Sequence, residues 1–256
     1  MTTETFSEDW NFYFCHIDDK PHSTMVNLSL FNVAPIPELN QFHALEVTLR
    51  YPSQEHGMTT DKEFAVLSEM GDLIDNSQTQ HLRYVARQTG DGKRKFYFYA
   101  TADTDFSSVI DKVSQAFPAY RMETFRFEDT GWETYFDNLY PNAIAWNEIT
   151  NRAVRDRLED SDDNLDIPRE IDHTIIFQDH SQAVQFSKVA KEKGFTTQIS
   201  TRTEGTSSGT ISRTHEVLAQ KVDAPAKLDP ITFELENLAN RFGGSYDGWG
   251  CYTATD

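Results

Sequence analysis

An α+β protein of two tandem split βαβ sandwiches, with antiparallel sheets and an extra hairpin at the N-terminus, is the architecture this sequence predicts. Three observations carry it. His43, Leu45, Val47, Leu49 and Tyr51 take every second position, with Glu46, Thr48 and Arg50 between them, which is the period of a half-buried strand. Two helical stripes then flank a strand pair. The same order of patterns recurs in the C-terminal part of the chain.

The first element is Trp10 to Ile17, whose aromatics Trp10, Phe12, Tyr13 and Phe14 read as a well-buried strand, closed by the polar break Asp18-Asp19-Lys20-Pro21. Met25 to Phe31 reads as its hairpin partner. After the 43–51 strand, Phe64, Leu67, Met70 and Ile74 form one stripe of an amphipathic helix. Leu82 to Gln88 and Lys95 to Ala100 make a hairpin whose turn carries Asp91 and Gly92, residues that tolerate positive φ. Asp105 can cap a second helix striped by Phe106, Val109, Ile110, Val113 and Phe117, before Tyr120 to Phe127 closes the unit as a strand.

The segment Trp132, Tyr135, Phe136, Leu139, Tyr140 is aromatic enough to pack on this first unit, and a helix follows to about Asp160. Glu159, Asp160, Asp162, Asp163 and Asp166 are too acidic a run to bury and read as the linker, dividing the chain into domains 1–160 and 161–256. In the second domain His173 to Phe177 is a strand. Ala183, Phe186, Val189 and Ala190 mark a helix ended by Gly194, and Phe195–Ser200 with Gly209–Gln220 form a strand pair. Ile231, Leu235, Leu238 and Phe242 stripe the last helix, Gly243 and Gly244 end it, and Tyr246 to Thr253 is the final strand. Strand, helix, strand, strand, helix, strand is the order of a ferredoxin-like sandwich, here present twice.

Charge narrows the function classes. Acidic residues outnumber basic ones 41 to 23, a formal net charge of −18, which repels phosphate backbones and anionic lipid and favours a protein partner with a basic surface. Two cysteines, Cys15 and Cys251, cannot make a disulfide framework. Met1 to Glu8 has neither the basic nor the apolar part of a secretory signal, and no long apolar run appears later, so the expected location is the cytoplasm.

Chemistry-bearing residues are sparse. Cys15 and His16 are strand neighbours pointing to opposite faces, so they cannot easily share a proton, and the expectation is a core cysteine beside a surface histidine. Asp172, His173, Asp179 and His180 are the densest set of metal-ligand types, but the two pairs flank a strand and lie too far apart for one ion; Asp179 reads instead as a helix cap. Gly205 to Gly209 lacks the Lys-Ser/Thr ending of a phosphate loop. No catalytic, cofactor or metal residue is assigned. A small-molecule module or enzyme using Cys15, His16 and Arg83 is the alternative reading.

Tyr246-Asp247-Gly248-Trp249-Gly250-Cys251-Tyr252 stands apart, because glycines on both sides of a tryptophan mark a bulge or a close backbone approach. Tyr246, Asp247, Trp249 and Tyr252 are the expected partner-binding residues, with Trp249 as aromatic anchor; the bland alternative packs Trp249 in the core. Tyr246 to Gly250, the helix Ile231–Phe242 with Gly243-Gly244, and Asp172 to Phe177 with Gly194-Phe195 resemble the family of the regulator of ribonuclease activity B, the protein inhibitor of ribonuclease E. That resemblance spans about residues 165 to 256 and implies a ferredoxin-like fold, no cofactor, and protein contact with the scaffold part of the endonuclease. Residues 8 to about 150 resemble a bacterial domain family of unknown function, on Trp10–Phe14, Asp18–Pro21, Phe96–Tyr99 and Leu139-Tyr140-Pro141.

Overall fold

The structure is a computed structural model describing residues 8–205 and 211–255. It forms two compact units, Met1–Ala145 and Trp146–Asp256.

In the first unit β1 (Trp10–Ile17) and β2 (Lys20–Asn27) form a hairpin, followed by β3 (Gln41–Thr48), α1 (Asp61–Asp75), β4 (Leu82–Gly90), β5 (Lys93–Ala100), α2 (Ser107–Ala116) and β6 (Met122–Glu128). The sheet order is β1-β2-β4-β5-β3-β6, antiparallel throughout. Without the hairpin, β4-β5-β3-β6 is the split βαβ order, and the hairpin extends the sheet beyond β4. Asp91 at φ 50° and Gly92 at φ 72° form the left-handed turn expected between β4 and β5. Leu45, Val47, Phe96, Phe98 and Tyr84 meet Leu67, Met70, Ile74, Val109 and Val113 in one core. Each fully buried side chain of this kind contributes about 1.5–3 kcal/mol.

Three expectations for this unit are corrected. The alternation in β3 is real but the strand is buried on both faces, because the 132–140 segment covers the side that α1 and α2 leave open. Phe42, Ala44 and Glu46 are therefore buried too, Glu46 being paired with Lys93 (2.6 Å) and Lys95 (3.4 Å). Trp132 stacks on Tyr99 at 3.9 Å between centroids and donates Nε1–H to Leu39 O (2.8 Å), while Tyr135 donates its hydroxyl to Asn27 O (2.8 Å). Phe64 is 64% exposed. The buried stripe of α1 instead starts at Glu63, whose carboxylate accepts the amides of Arg50 (2.7 Å) and Tyr51 (3.0 Å). Finally, β1 is an edge strand with Phe12, Phe14 and Ile17 exposed and only Tyr13 fully buried, so its aromatic crowding does not mark a core strand.

The second unit contains most of α3 (Ala143–Glu159), then β7 (Arg169–Phe177), α4 (His180–Glu192), β8 (Thr196–Gly205), β9 (Ile211–Asp223), α5 (Asp229–Arg241) and β10 (Gly244–Gly250). Its sheet order β10-β7-β9-β8 is antiparallel and again the split βαβ order. Gly194 (φ 89°) and Gly243 (φ 72°) end α4 and α5 in the left-handed conformation that glycine supplies most readily. Residues 206–210, which include all of the Gly205–Gly209 segment but Gly205, lie outside the described residues.

The compact division falls at 145/146 rather than near Ser161. Val154 and Leu158 of α3 pack with Ile171, Leu228 and Trp249, so the helix between the two sandwiches is part of the second. Nor is the acidic run simply a solvated linker. The Asp163 carboxylate is fully buried, pairing with Arg169 Nη2 at 2.6 Å and accepting the Ala254 amide at 2.9 Å.

Candidate partner-binding surface

Strand β10 places the Tyr246–Tyr252 string. Its register against β7 shifts between Tyr246 and Gly248, so Asp247 is the extra residue of a bulge, and Gly248 takes φ 135°. The expected bulge is there. What it aims is different from the expectation, because the indole of Trp249 turns inward.

Trp249 is 8% exposed and sits among Ile171, Leu228, Val154 and Leu158. Its Nε1–H donates to Asn151 Oδ1 at 2.8 Å. Asn151 Nδ2 donates to Asp229 Oδ1 and to Thr232 Oγ1, both at 2.7 Å; Thr232 donates to Asn147 Oδ1 at 2.8 Å; Arg155 Nη1 pairs with Asp229 at 2.7 Å. These bonds tie α3 to the start of α5 and to β10. An indole whose polar edge is satisfied and whose faces are packed cannot serve as an anchor for a partner, so Trp249 is a core residue.

Tyr246 is half-buried against the main core, and its hydroxyl shares a 2.8 Å hydrogen bond with His173 Nδ1. Burial lowers the His173 imidazole to about 4 and pushes the Tyr246 phenol well above its usual range, so the pair is neutral at pH 7. Two of the four expected residues remain available. Asp247 is exposed at the bulge and Tyr252 is 90% exposed.

Tyr252 stands beside a feature missed at the level of sequence. In β7, Ile171, His173, Ile175 and Phe177 are buried, which turns Glu170, Asp172, Thr174 and Ile176 to the opposite face of the sheet. Glu170, Asp172, Gly250, Cys251 and Tyr252 line a recess of about 230 Å³ there. Gln220, across from Asp172 on β9, donates to Asp172 Oδ1 (2.8 Å) and Glu170 Oε1 (3.3 Å), holding both carboxylates on the open face. Val222, paired with Glu170, is 64% exposed. The result is an acidic recess with an aromatic rim and an apolar neighbour. The period-two alternation of Glu170 and Asp172 against Ile171 and His173 was the available signal.

The metal reading finds no geometric support. Asp179 caps α4, accepting from the amides of Ser181 (2.6 Å) and Gln182 (3.4 Å); His173 is bound to Tyr246; His180 packs on the ring of His215. Among the described residues no three His, Cys, Asp or Glu side chains are grouped to hold an ion. Cys15 and His16 both line a cavity of about 510 Å³ with Tyr13, Gln88 and Tyr97, but Arg83 is not in its wall. The Cys15 thiol lies 3.8 Å from Thr24 Oγ1. Among the described residues no helix is long and apolar enough to cross a membrane.

Among curated proteins there is no match. Two solved structures resemble the chain: an unknown protein from Galdieria sulphuraria (10% identity, 81% of this chain and 96% of that chain covered, TM-score 0.24), and a proposed glycine cleavage system transcriptional repressor (9% identity, 84% and 98% covered, TM-score 0.24). Likeness at that level carries no argument. The family matches do: residues 8–140 match a family of unknown function (DUF695), and residues 148–251 match the regulator of ribonuclease activity B. The first match ends and the second begins on either side of the division at Ala145/Trp146. The second unit is thus similar to the regulator of ribonuclease activity B, and the chain belongs to the family of unknown function DUF695.

Proposed function

We propose that this protein is a non-catalytic regulator that acts on a ribonuclease by protein contact, with ribonuclease E as the partner to test first. The observation that carries the proposal is the match of residues 148–251 to a regulator of ribonuclease activity, in a unit whose open sheet face presents Glu170 and Asp172 beside exposed Tyr252. Lys or Arg side chains of the partner meet the two carboxylates; an apolar or aromatic side chain meets Tyr252 and Val222. Asp247 adds charge at the bulge. A chain at −18 speeds encounter with a basic segment and discriminates against RNA itself, so the regulator reaches the enzyme and not its substrate. Its location in this reading is the cytoplasm.

The test is direct capture of the ribonuclease E scaffold segment by the purified protein at low and high salt, together with transcript half-lives on co-expression. Salt-weakened binding and longer half-lives support the proposal. Binding absent at low salt, with half-lives unchanged, removes this partner.

A further inference from the structure

The first unit holds a second cavity, of about 470 Å³, between the N-terminal turn of α2 and the edge strand β6. At its inner wall is His43, which is 3% exposed, packed on the Phe106 ring at 4.5 Å, and has no hydrogen-bond partner for Nε2. A buried polar atom left unpaired has lost its water without a replacement, which destabilises the fold unless something else binds it. A ligand atom in the cavity would do so.

The lining carries both signs of charge. Arg126, opposite His43 in the β3/β6 register, is held by hydrogen bonds from Nε (3.2 Å) and Nη2 (3.1 Å) to Gln41 Oε1 and from Nη2 to Ala102 O (3.2 Å), which fixes the guanidinium at the cavity. Asp105 and Asp111 supply two carboxylates from α2 and the turn before it; Asp105 Oδ1 accepts the amide (3.1 Å) and the hydroxyl of Ser107. Ile110 and the Phe106 ring make the apolar wall. A simple anion is opposed by the two carboxylates, and a simple cation by the arginine. A molecule with both charges close together satisfies both.

We propose that this cavity binds a small zwitterion, an α-amino acid with an apolar side chain. Its carboxylate lies toward Arg126 and the Nε2–H of neutral His43, its ammonium toward Asp105 and Asp111, and its side chain on Ile110 and Phe106. Burial and the Arg126 charge lower His43 to about 4, so the imidazole is a neutral donor at pH 7. This site is separate from the Cys15/His16 cavity and does not depend on ribonuclease regulation.

The experiment is calorimetric titration of the full chain with leucine, with 4-methylpentanoate (leucine without its ammonium) and with isopentylamine (leucine without its carboxylate). Leucine binds saturably, each single-charge analogue binds at least tenfold more weakly, and Arg126→Gln weakens leucine at least tenfold while leaving the circular dichroism spectrum unchanged. In ¹⁵N histidine spectra leucine shifts the His43 ring nitrogens. The proposal is overturned if leucine shows no saturable binding, if either analogue binds as tightly, or if Arg126→Gln binds leucine as the parent does. His43→Leu adds a second readout; if that variant does not fold, Arg126→Gln and Asp111→Asn decide the matter.

Discussion

The indole of Trp249 and the side-chain amide of Asn151 are joined by a 2.8 Å hydrogen bond, Nε1–H to Oδ1, in a part of the protein where both are nearly inaccessible to water. Together with the packing of Val154 and Leu158, this contact places Trp249 in the core and α3 in the second unit. Trp249→Ala should lower the stability of the second unit by about 3–5 kcal/mol, the cost of a large side chain leaving a cavity. Asn151→Ala should lower it by about 1–3 kcal/mol, because the indole N–H loses its acceptor and Thr232 and Asp229 each lose a donor. Amide exchange in α3 and β10 checks this: both should lose protection together, and loss confined to β10 would contradict the coupling.

In the first unit Asp129 holds the segment that covers the second face of β3. Burial alone raises its carboxyl, but the Tyr99 hydroxyl (2.7 Å) and the amides of Thr134 (3.0 Å) and Glu133 (2.8 Å) hold it below the ordinary carboxylate value. Asp129→Ala should cost about 1.5–3 kcal/mol, the range for a hydrogen-bonded charged group. Proteolysis between residues 130 and 140 should quicken while the β1–β6 sheet stays protected. An unchanged cleavage rate would show that stacking of Trp132 on Tyr99 suffices alone.

Gly244 begins β10 with its α-carbon facing the Phe177 ring. A Cβ there would stand 2.3 Å from Phe177 Cε1, and Phe177 is fully buried and has no room to withdraw. Gly244→Ala should therefore destabilise the second unit by about 1–3 kcal/mol, the usual cost of overpacking. Gly250→Ala meets no atom within 4 Å and should be mild. Denaturant midpoints of the two variants check the contrast; equal midpoints would contradict it.

Each unit buries one neutral histidine, His43 and His173, both lowered to about 4 from 6.5 chiefly by burial. Between those values the unfolded chain binds protons that the folded chain does not. Stability should accordingly fall as pH drops from about 6.5 and reach its full loss from this source below about 4. Histidine ring resonances assigned to His43 and His173 should show the neutral form at pH 5.5. Midpoints near 6.5 would contradict the burial argument.

The sequence showed the fold where periodicity was clean: both split βαβ orders, the Asp91-Gly92 turn, the Asp179 cap and the bulge at Asp247 all follow from local pattern. It misled where a distant segment decided burial. Nothing in the alternation of β3 says that Trp132 and Tyr135 will cover its second face, and nothing in an acidic run says that Arg169 will draw Asp163 inside. Trp249 shows the same limit, since an aromatic between glycines looks alike whether it faces a partner or Asn151. Glu170 and Asp172 were legible as an alternation, but their exposure depends on which face α4 and α5 cover.

In the proposed function the second unit docks a basic segment of a ribonuclease on the recess of Glu170, Asp172 and Tyr252. Affinity of the scaffold segment of ribonuclease E for the parent protein and for Glu170→Lys/Asp172→Lys, measured at two salt concentrations, tests it most directly. The variant should lose at least tenfold in affinity and show a weaker salt dependence, with the fold retained. Equal affinity and equal salt dependence in the folded variant would contradict it.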